Sequence, residues 1–314
     1  MRRLVHAAGS LPLLLLTLVR PASAVSISPI ALYIDSRTRV GTLNLWNDGT
    51  RPEEIDIAFA YGYVVSDSLG NWQVPLIRNP DSIPPAEPSA VAWLRAFPRR
   101  FVLQPGQRQI VRVLVRPPAN LPEGEYWARV IVRSRGGQPP IEGEQQGVRF
   151  SIEVAIENVI ALSYRHGRVW TSVDLAGVQT RMRGDTLRVL VDLTRGGNAA
   201  FIGRVLAEVL DPRGRILARQ EVPVSVYRSP FRTRVDFPLG IDARRAARLR
   251  IRVDNNRTDI PPEGPLPVAA VVREIALTPS AQGPSARSRW RWRRGQGTSL
   301  ALRFLSRTFP AFYG

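Results

Sequence analysis

Between residues 148 and 162 apolar side chains recur at every second position: Val148, Phe150, Ile152, Val154, Ile156 and Ile160, with Asn158 the one polar member. Arg149, Ser151, Glu153, Ala155, Glu157, Val159 and Ala161 take the alternate places. A helix turns about 100° per residue and would scatter the first set around its axis, whereas a strand puts all of it on one face. The pattern holds for about fourteen residues, well beyond the usual strand of roughly five or six. Such a strand must belong to a sheet. Part of its apolar face packs into that sheet's core. The remainder reads either as more core or as a long edge that pairs with a partner strand. Ile152, Val154 and Ile156 are the candidates for partner-strand binding.

The rest of the chain supplies the sheets. Proline (27) and glycine (24) are spread through 314 residues and divide the sequence into short β-prone runs. In 40–46, Leu43 and Leu45 face opposite to Val40, Thr42, Asn44 and Trp46, and Asn47-Asp48-Gly49 makes a turn. Ile55, Ile57, Phe59 and Tyr61 share one face of a second run, and Val111, Val113 and Val115 point inward from a third. In 125–133, Tyr126, Ala128, Val130 and Val132 oppose Trp127, Arg129 and Ile131. Residues 75–90, rich in proline, read as a loop. About seven strands across residues 25–163 fit an immunoglobulin-like sandwich. A second set, at 168–174, 186–193, 204–210, 215–222, 231–237, 248–253 and 268–277, predicts another sandwich over 164–278. Asp211-Pro212-Arg213-Gly214 is a β-turn within it, and Arg165-His166-Gly167 is the hinge between the two. The expected fold is all-β, with two immunoglobulin-like β-sandwich domains in tandem.

Both ends break this rhythm. Residues 1–24 carry a basic start, an apolar run at 11–19 too short to span a bilayer, and Ala22-Ser23-Ala24, which signal peptidase reads. They predict a cleaved signal peptide, export, and a mature chain from Val25 without a transmembrane segment. Residues 279–314 predict a basic, disordered tail. Its alternation of arginine with Trp290 and Trp292 reads as a membrane or nucleic-acid contact or as a bare appendage. Removing the three arginines of 1–24 and the seven of 281–314 from the formal +18 leaves +8 for 25–280. No basic block interrupts the strands there, so no nucleic-acid partner is expected.

The chain has no cysteine and two histidines, His6 and His166, the first inside the signal segment. That excludes disulfides and thiolate metal sites, and leaves too little histidine for a zinc site or a catalytic triad. Glu53-Glu54 are strand neighbours on opposite faces, and Glu123 and Glu125 flank a turn glycine beside arginines, so neither pair forms a catalytic dyad. No enzyme activity is expected.

Ile27-Ser28-Pro29-Ile30, then Thr42-Leu43-Asn44-Leu45-Trp46-Asn47-Asp48-Gly49, then residues 101–113, then a long strand ending Leu162-Ser163-Tyr164-Arg165 follow one another in this order. In these segments the chain resembles the periplasmic pilus-assembly chaperones, over 26–165 and more weakly over 166–278. The resemblance implies a boomerang of two immunoglobulin-like domains in the periplasm. It implies partners as well: pilus or fimbrial subunits lacking their final strand, and an outer-membrane usher that receives them. The last strand of the first domain would complete the subunit's fold, Ile152, Val154 and Ile156 would fill its groove, and no cofactor or metal would be needed. The family clamps the subunit's terminal carboxylate with an arginine and a lysine in the cleft between domains. Those places fall at Ala31 and Ala161 here, which leaves Arg112 and Arg165 as cleft candidates. The rival reading is an immunoglobulin-like envelope binding or structural module without a pilus-subunit partner.

Overall fold

The computed structural model describes residues 25–137, 140–145 and 148–277; the expected signal peptide at 1–24 and the basic tail at 279–314 lie outside them. Among the described residues regular structure is β-strand apart from three short 3-10 turns. In chain order the strands of the first part are β1 (Ser26–Ser28), β2 (Ala31–Asp35), β3 (Val40–Trp46), β4 (Glu53–Ala60), β5 (Val65–Ser66), β6 (Trp72–Gln73), β7 (Leu94–Phe97), β8 (Arg100–Leu103), β9 (Arg108–Val115), β10 (Gly124–Arg135), β11 (Ile141–Gln145), β12 (Val148–Ile152) and β13 (Ala155–His166). The second part has β14 (Thr171–Arg183), β15 (Thr186–Gly197), β16 (Phe201–Leu210), β17 (Ile216–Val226), β18 (Phe231–Pro238), β19 (Arg248–Asp254) and β20 (Val271–Ala276).

The first sandwich stacks a four-stranded sheet, β1-β3-β9-β7, on a five-stranded one, β2-β13-β10-β4-β8. Its core joins expected inward positions to residues of β2, a strand the sequence reading does not include. Leu43, Leu45, Val111, Val113 and Val115 from one sheet pack against Leu32, Ile34, Ile55, Ile57, Val130, Val132, Leu162 and Tyr164 from the other. The second sandwich stacks β14-β15-β18 on β17-β16-β19-β20 around Val189, Val191, Leu193, Phe201, Val205, Phe237 and Ile251. The Asp211 turn is as expected: Gly214 N donates to Asp211 O at 2.9 Å, and Gly214 has φ +82°.

Several boundaries differ from the sequence reading, and three of them have a visible physical cause. The run 148–162 is two strands, because its partners differ: β12 pairs with β11, and β13 with β10. The chain leaves β10 at Gly136, φ +90°, so the ladder is interrupted there and, across it, at Glu153-Val154. β13 then runs through the expected hinge residues Arg165 and His166, and only Gly167, φ +63°, has a turn conformation. In the second sandwich, β14 starts at Thr171 and continues to Arg183 through a bulge between Leu175 and Gly177. The extra residue shifts the inward–outward phase, which hides the second half of that strand from a period-2 search.

The sandwiches touch at several places, two of them outside the rows described below. Ala200, Ile202 and Tyr227 of the second join the core of the first. The β5–β6 hairpin of the first reaches β18: Arg232 N donates to Ser66 Oγ at 2.8 Å, and Arg234 Nη1 to Asn71 Oδ1 at 2.9 Å.

Candidate functional site

β13 pairs antiparallel with β10 along its whole length, but parallel with β2 only from Ala161 to Arg165. Residues 155–160 therefore carry an edge with no partner strand among the described residues. β12 likewise pairs on one side only. Unpaired backbone N–H and C=O groups on such an edge are a template for another strand.

The β11–β12 ribbon carries an apolar face beside this edge. Directly opposed residues point the same way, so Ile141 stands with Ile152 and Gly143 with Phe150. Ile141, Val148, Phe150 and Ile152 are between 43% and 67% exposed. The Phe150 ring fills the space above Gly143, where a side chain would collide with it. The other face is polar, with Arg149 Nε 3.5 Å from Glu144.

Of the expected binding residues, Ile152 is exposed on β12 and Val154 is exposed in the break between the strands. Ile156 is half-buried on β13, opposite buried Ser134. Further along the same face Ile160 and Leu162 are core. The apolar face thus passes from open surface to core near Ile156. Glu157, on the opposite face, accepts from Arg133 Nε at 2.9 Å and from Arg78 Nη2 at 2.7 Å. The Arg133 guanidinium, then that of Arg78, holds its carboxyl below the usual range.

The outward face of the five-stranded sheet turns toward the second sandwich, and three registered rows meet there. In the first, Arg165 on β13 lies opposite Glu125 on β10, and Arg165 Nε donates to Glu125 Oε2 at 2.8 Å. Glu125 Oε1 also accepts from Trp127 Nε1 at 2.9 Å and from Ala200 N at 3.2 Å. Arg165 Nη2 donates to Gly264 O at 2.6 Å, and the guanidinium lies over the Tyr33 ring at 4.9 Å. Burial pushes the Tyr33 phenol well above the ordinary tyrosine range. Arg165 is therefore engaged by partners of its own chain.

Tyr33, Ser163 and Trp127 make the second row. Trp127 packs edge-on against Tyr227 at 4.9 Å and beside Tyr63 at 5.5 Å, with the Arg228 guanidinium 5.4 Å above its ring. Arg228 is paired with Glu87 at 2.7 Å.

The third row is Ala31, Ala161, Arg129 and Ala60. Arg129 Nε donates to Gly62 O at 2.9 Å, and its guanidinium lies 5.5 Å from the Tyr227 ring. The side chain is buried, and its Nη2 has no hydrogen-bond partner among the described residues. A buried guanidinium without a carboxylate is costly unless something anionic meets it.

Arg112, the other cleft candidate, lies on the exposed side of β9, opposite Thr42 and Phe97. The structure does not bring it near Arg165, because β9 belongs to the other sheet. Sequence reasoning passed over Arg129 and Ile141. A single arginine inside Tyr126-Trp127-Ala128-Arg129-Val130-Ile131-Val132 was a signal for the first. Alternation of Ile141 and Gly143 with Glu142 and Glu144 was one for the second. Among the described residues no group of three His, Asp or Glu side chains is placed to hold a metal ion.

No protein-family model and no curated protein matches the sequence. Solved structures do. One is the CsuC–CsuE chaperone–tip adhesion subunit pre-assembly complex from archaic chaperone-usher Csu pili of Acinetobacter baumannii, with 14% identity over 80% of this chain and 98% of that one and a TM-score of 0.37. Another is the YadV chaperone, with 14% identity over 81% and 99% and a TM-score of 0.39. A third is the CupB2 chaperone of Pseudomonas aeruginosa, with 13% identity over 80% and 100% and a TM-score of 0.33. The chain is similar to these pilus chaperones, and its two-sandwich fold stands on the sheet orders and registers of its own strands.

Proposed function

We propose that this chain is an exported, non-enzymatic chaperone that captures pilus or fimbrial subunits by lending them a strand, in the periplasm, before delivery to an outer-membrane usher. The observation that supports this reading most is the unpartnered edge of 155–160, continued by the exposed apolar face of β12. A subunit lacking one strand exposes both a sheet edge and an apolar groove. The chaperone's edge supplies main-chain hydrogen bonds whatever the subunit's sequence, and Ile152, Val154 and Ile156 supply side chains for the groove. Full burial of one such side chain contributes about 1.5–3 kcal/mol, and proportionately less where part is already covered. Folding of the subunit drives the step, so neither nucleotide nor metal enters. Arg129, one strand in from Ala161, takes the subunit's terminal carboxylate.

The test is to dilute a denatured pilus subunit, with its own N-terminal extension deleted, into the purified protein and to follow a one-to-one complex by size-exclusion chromatography. Wild type is expected to keep the subunit soluble. Val154→Asp is expected to fold with an unchanged melting temperature and to lose the complex. A subunit captured equally well by Val154→Asp, or a variant that cannot fold alone, would sink the strand assignment. A wild-type chain that captures no subunit points instead to an immunoglobulin-like envelope module.

A further inference from the structure

The outward face of the four-stranded sheet has no role in strand donation, and its composition is unusual for a solvated sheet. Registered pairs set its layout. Trp46 on β3 stands opposite Arg108 on β9, Asn44 opposite Ile110, and Thr42 opposite Arg112, which in turn faces Phe97 on β7. Val40, Trp46, Ile110 and Phe97 are between 41% and 72% exposed. Solvent-facing positions of such a sheet are normally polar, so four large exposed apolar side chains on one face mark an interaction surface.

The charge on this face has one sign. Arg95, Arg108 and Arg112 are exposed, and none of the outward positions of β3, β7 and β9 is acidic. The acid nearest this face in the pairing scheme is Asp48 at its rim, which accepts from Ser26 Oγ at 3.2 Å. Arg108 lies over the Trp46 ring at 5.2 Å, and Arg95 Nη1 donates to the carbonyls of Ala92 and Leu94. Elsewhere in the protein exposed arginines are paired with carboxylates, as Arg100 is with Asp56 and Arg215 with Asp211.

We propose that this face binds an anionic lipid surface, with Arg108 and Arg112 on phosphate groups and Trp46, Ile110 and Phe97 at the level where headgroups meet acyl chains. Indole and phenyl rings favour that boundary, and arginine spreads its apolar stem while its head stays with phosphate. A second copy of the chain is a poor occupant, since two copies of a face with three arginines and no acid repel each other. Single-stranded nucleic acid is disfavoured by shape. Its binders line a groove with successive aromatic rings for stacking, whereas this face is a sheet surface whose two aromatic residues are separated by aliphatic ones. The proposal is independent of the subunit-capture reading.

Flotation of the full chain with vesicles tests it, using phosphatidylcholine alone and phosphatidylcholine with phosphatidylglycerol. Wild type is expected to float with the anionic vesicles, less so as salt rises, and to remain unbound with the neutral ones. Each cation close to an anionic surface is worth about fivefold in partitioning. Arg108→Gln/Arg112→Gln is therefore expected to bind about 25-fold more weakly, with its melting temperature unchanged. Ile110→Gln leaves every charge in place and is expected to weaken binding severalfold, which keeps the test open if the double variant folds poorly. The basic tail is present in all these proteins, so equal flotation of wild type and both variants would overturn the proposal. So would equal binding to neutral vesicles, no binding by wild type, or variants defective only toward a single-stranded oligonucleotide.

Discussion

Arg129 on β10 lies directly across from Ala161 on β13, and Ala161 directly across from Ala31 on β2. The two positions where the resemblance places a basic clamp are thus occupied by methyl groups, and a buried guanidinium stands beside them. Replacing Arg129 with Met keeps the length and removes the charge. The free protein is expected to stay folded, because no carboxylate loses a partner. Capture of a subunit is expected to weaken ten- to hundredfold, since hydrogen bonds to a charged group are worth about 1.5–3 kcal/mol. Amidating the subunit's C-terminus should weaken wild-type capture by a similar factor and leave Arg129→Met unaffected. A double-mutant cycle without coupling would remove Arg129 from this role.

Arg165 has a structural duty instead. Its Glu125 partner has no side-chain exposure. Arg165→Met leaves that carboxylate buried and unpaired, which is expected to cost about 3–5 kcal/mol. Adding Glu125→Gln to the same protein should restore much of the loss, because the amide still accepts from Trp127 and Ala200. Urea unfolding of the single and double variants measures both effects.

Amide hydrogen exchange maps the open edge. Within 161–165, β13 has strands on both sides, and every amide is expected to exchange slowly. Within 155–160 only the amides aimed at β10 have partners, so alternate residues should exchange fast in the free protein. Subunit binding should slow that fast set. Uniform protection across 155–166 in the free protein would mean that the edge is already covered.

Asp254 predicts the acid limb of stability. Burial by itself would raise its carboxyl, but hydrogen bonds from Arg204 Nε at 2.8 Å and Arg252 Nε at 2.7 Å outweigh it and hold the group below its usual range. A carboxyl depressed in the folded state stabilises above its unfolded value of about 3.9 and loses that contribution as pH falls toward the folded value. Asp254→Asn is expected to lower stability at pH 7 and to flatten its decline below about pH 4. Thermal melts across pH 2–7, a range on the order of that needed to cover both values, check the slope.

Gly70 lets the β5–β6 hairpin lie close to β18. It has φ +76°, and a side chain there would come within 2.8 Å of Arg234 N. Gly70→Ala is expected to cost more than about 1 kcal/mol and to loosen the hairpin from the second sandwich. Faster exchange of the Arg232 amide, which donates to Ser66 Oγ, is its signature.

The sequence carried the inward sets well where a strand has one solvated face. Leu43 and Leu45, or Val111, Val113 and Val115, are core as their alternation predicts. It carried less where burial comes from afar. Trp127, Arg129 and Ile131 alternate with the core set of β10, yet all three are buried as well, and nothing local announces what covers them. The candidate edge was half legible. Alternation put Ile152, Val154 and Ile156 on one face, but a change of pairing partner, invisible in one strand's own residues, divides the run at Glu153-Val154. Arg112 was misplaced for a similar reason: strand periodicity gives a residue's face and not the sheet to which its strand belongs.

The parallel pairing of β2 onto β13 also works as a ruler. From Ala161 onward the edge is occupied, so a strand laid beside β12 and β13 has a fixed stop at Ile160. The open part of β13, Ala155 to Ile160, measures roughly 20 Å at about 3.3 Å per residue. A longer segment must turn its surplus off the sheet where Ala31 begins, next to the row that holds Arg129. A shorter one leaves edge uncovered. If this edge lends a strand as proposed, length as well as side-chain fit sorts what can sit on it.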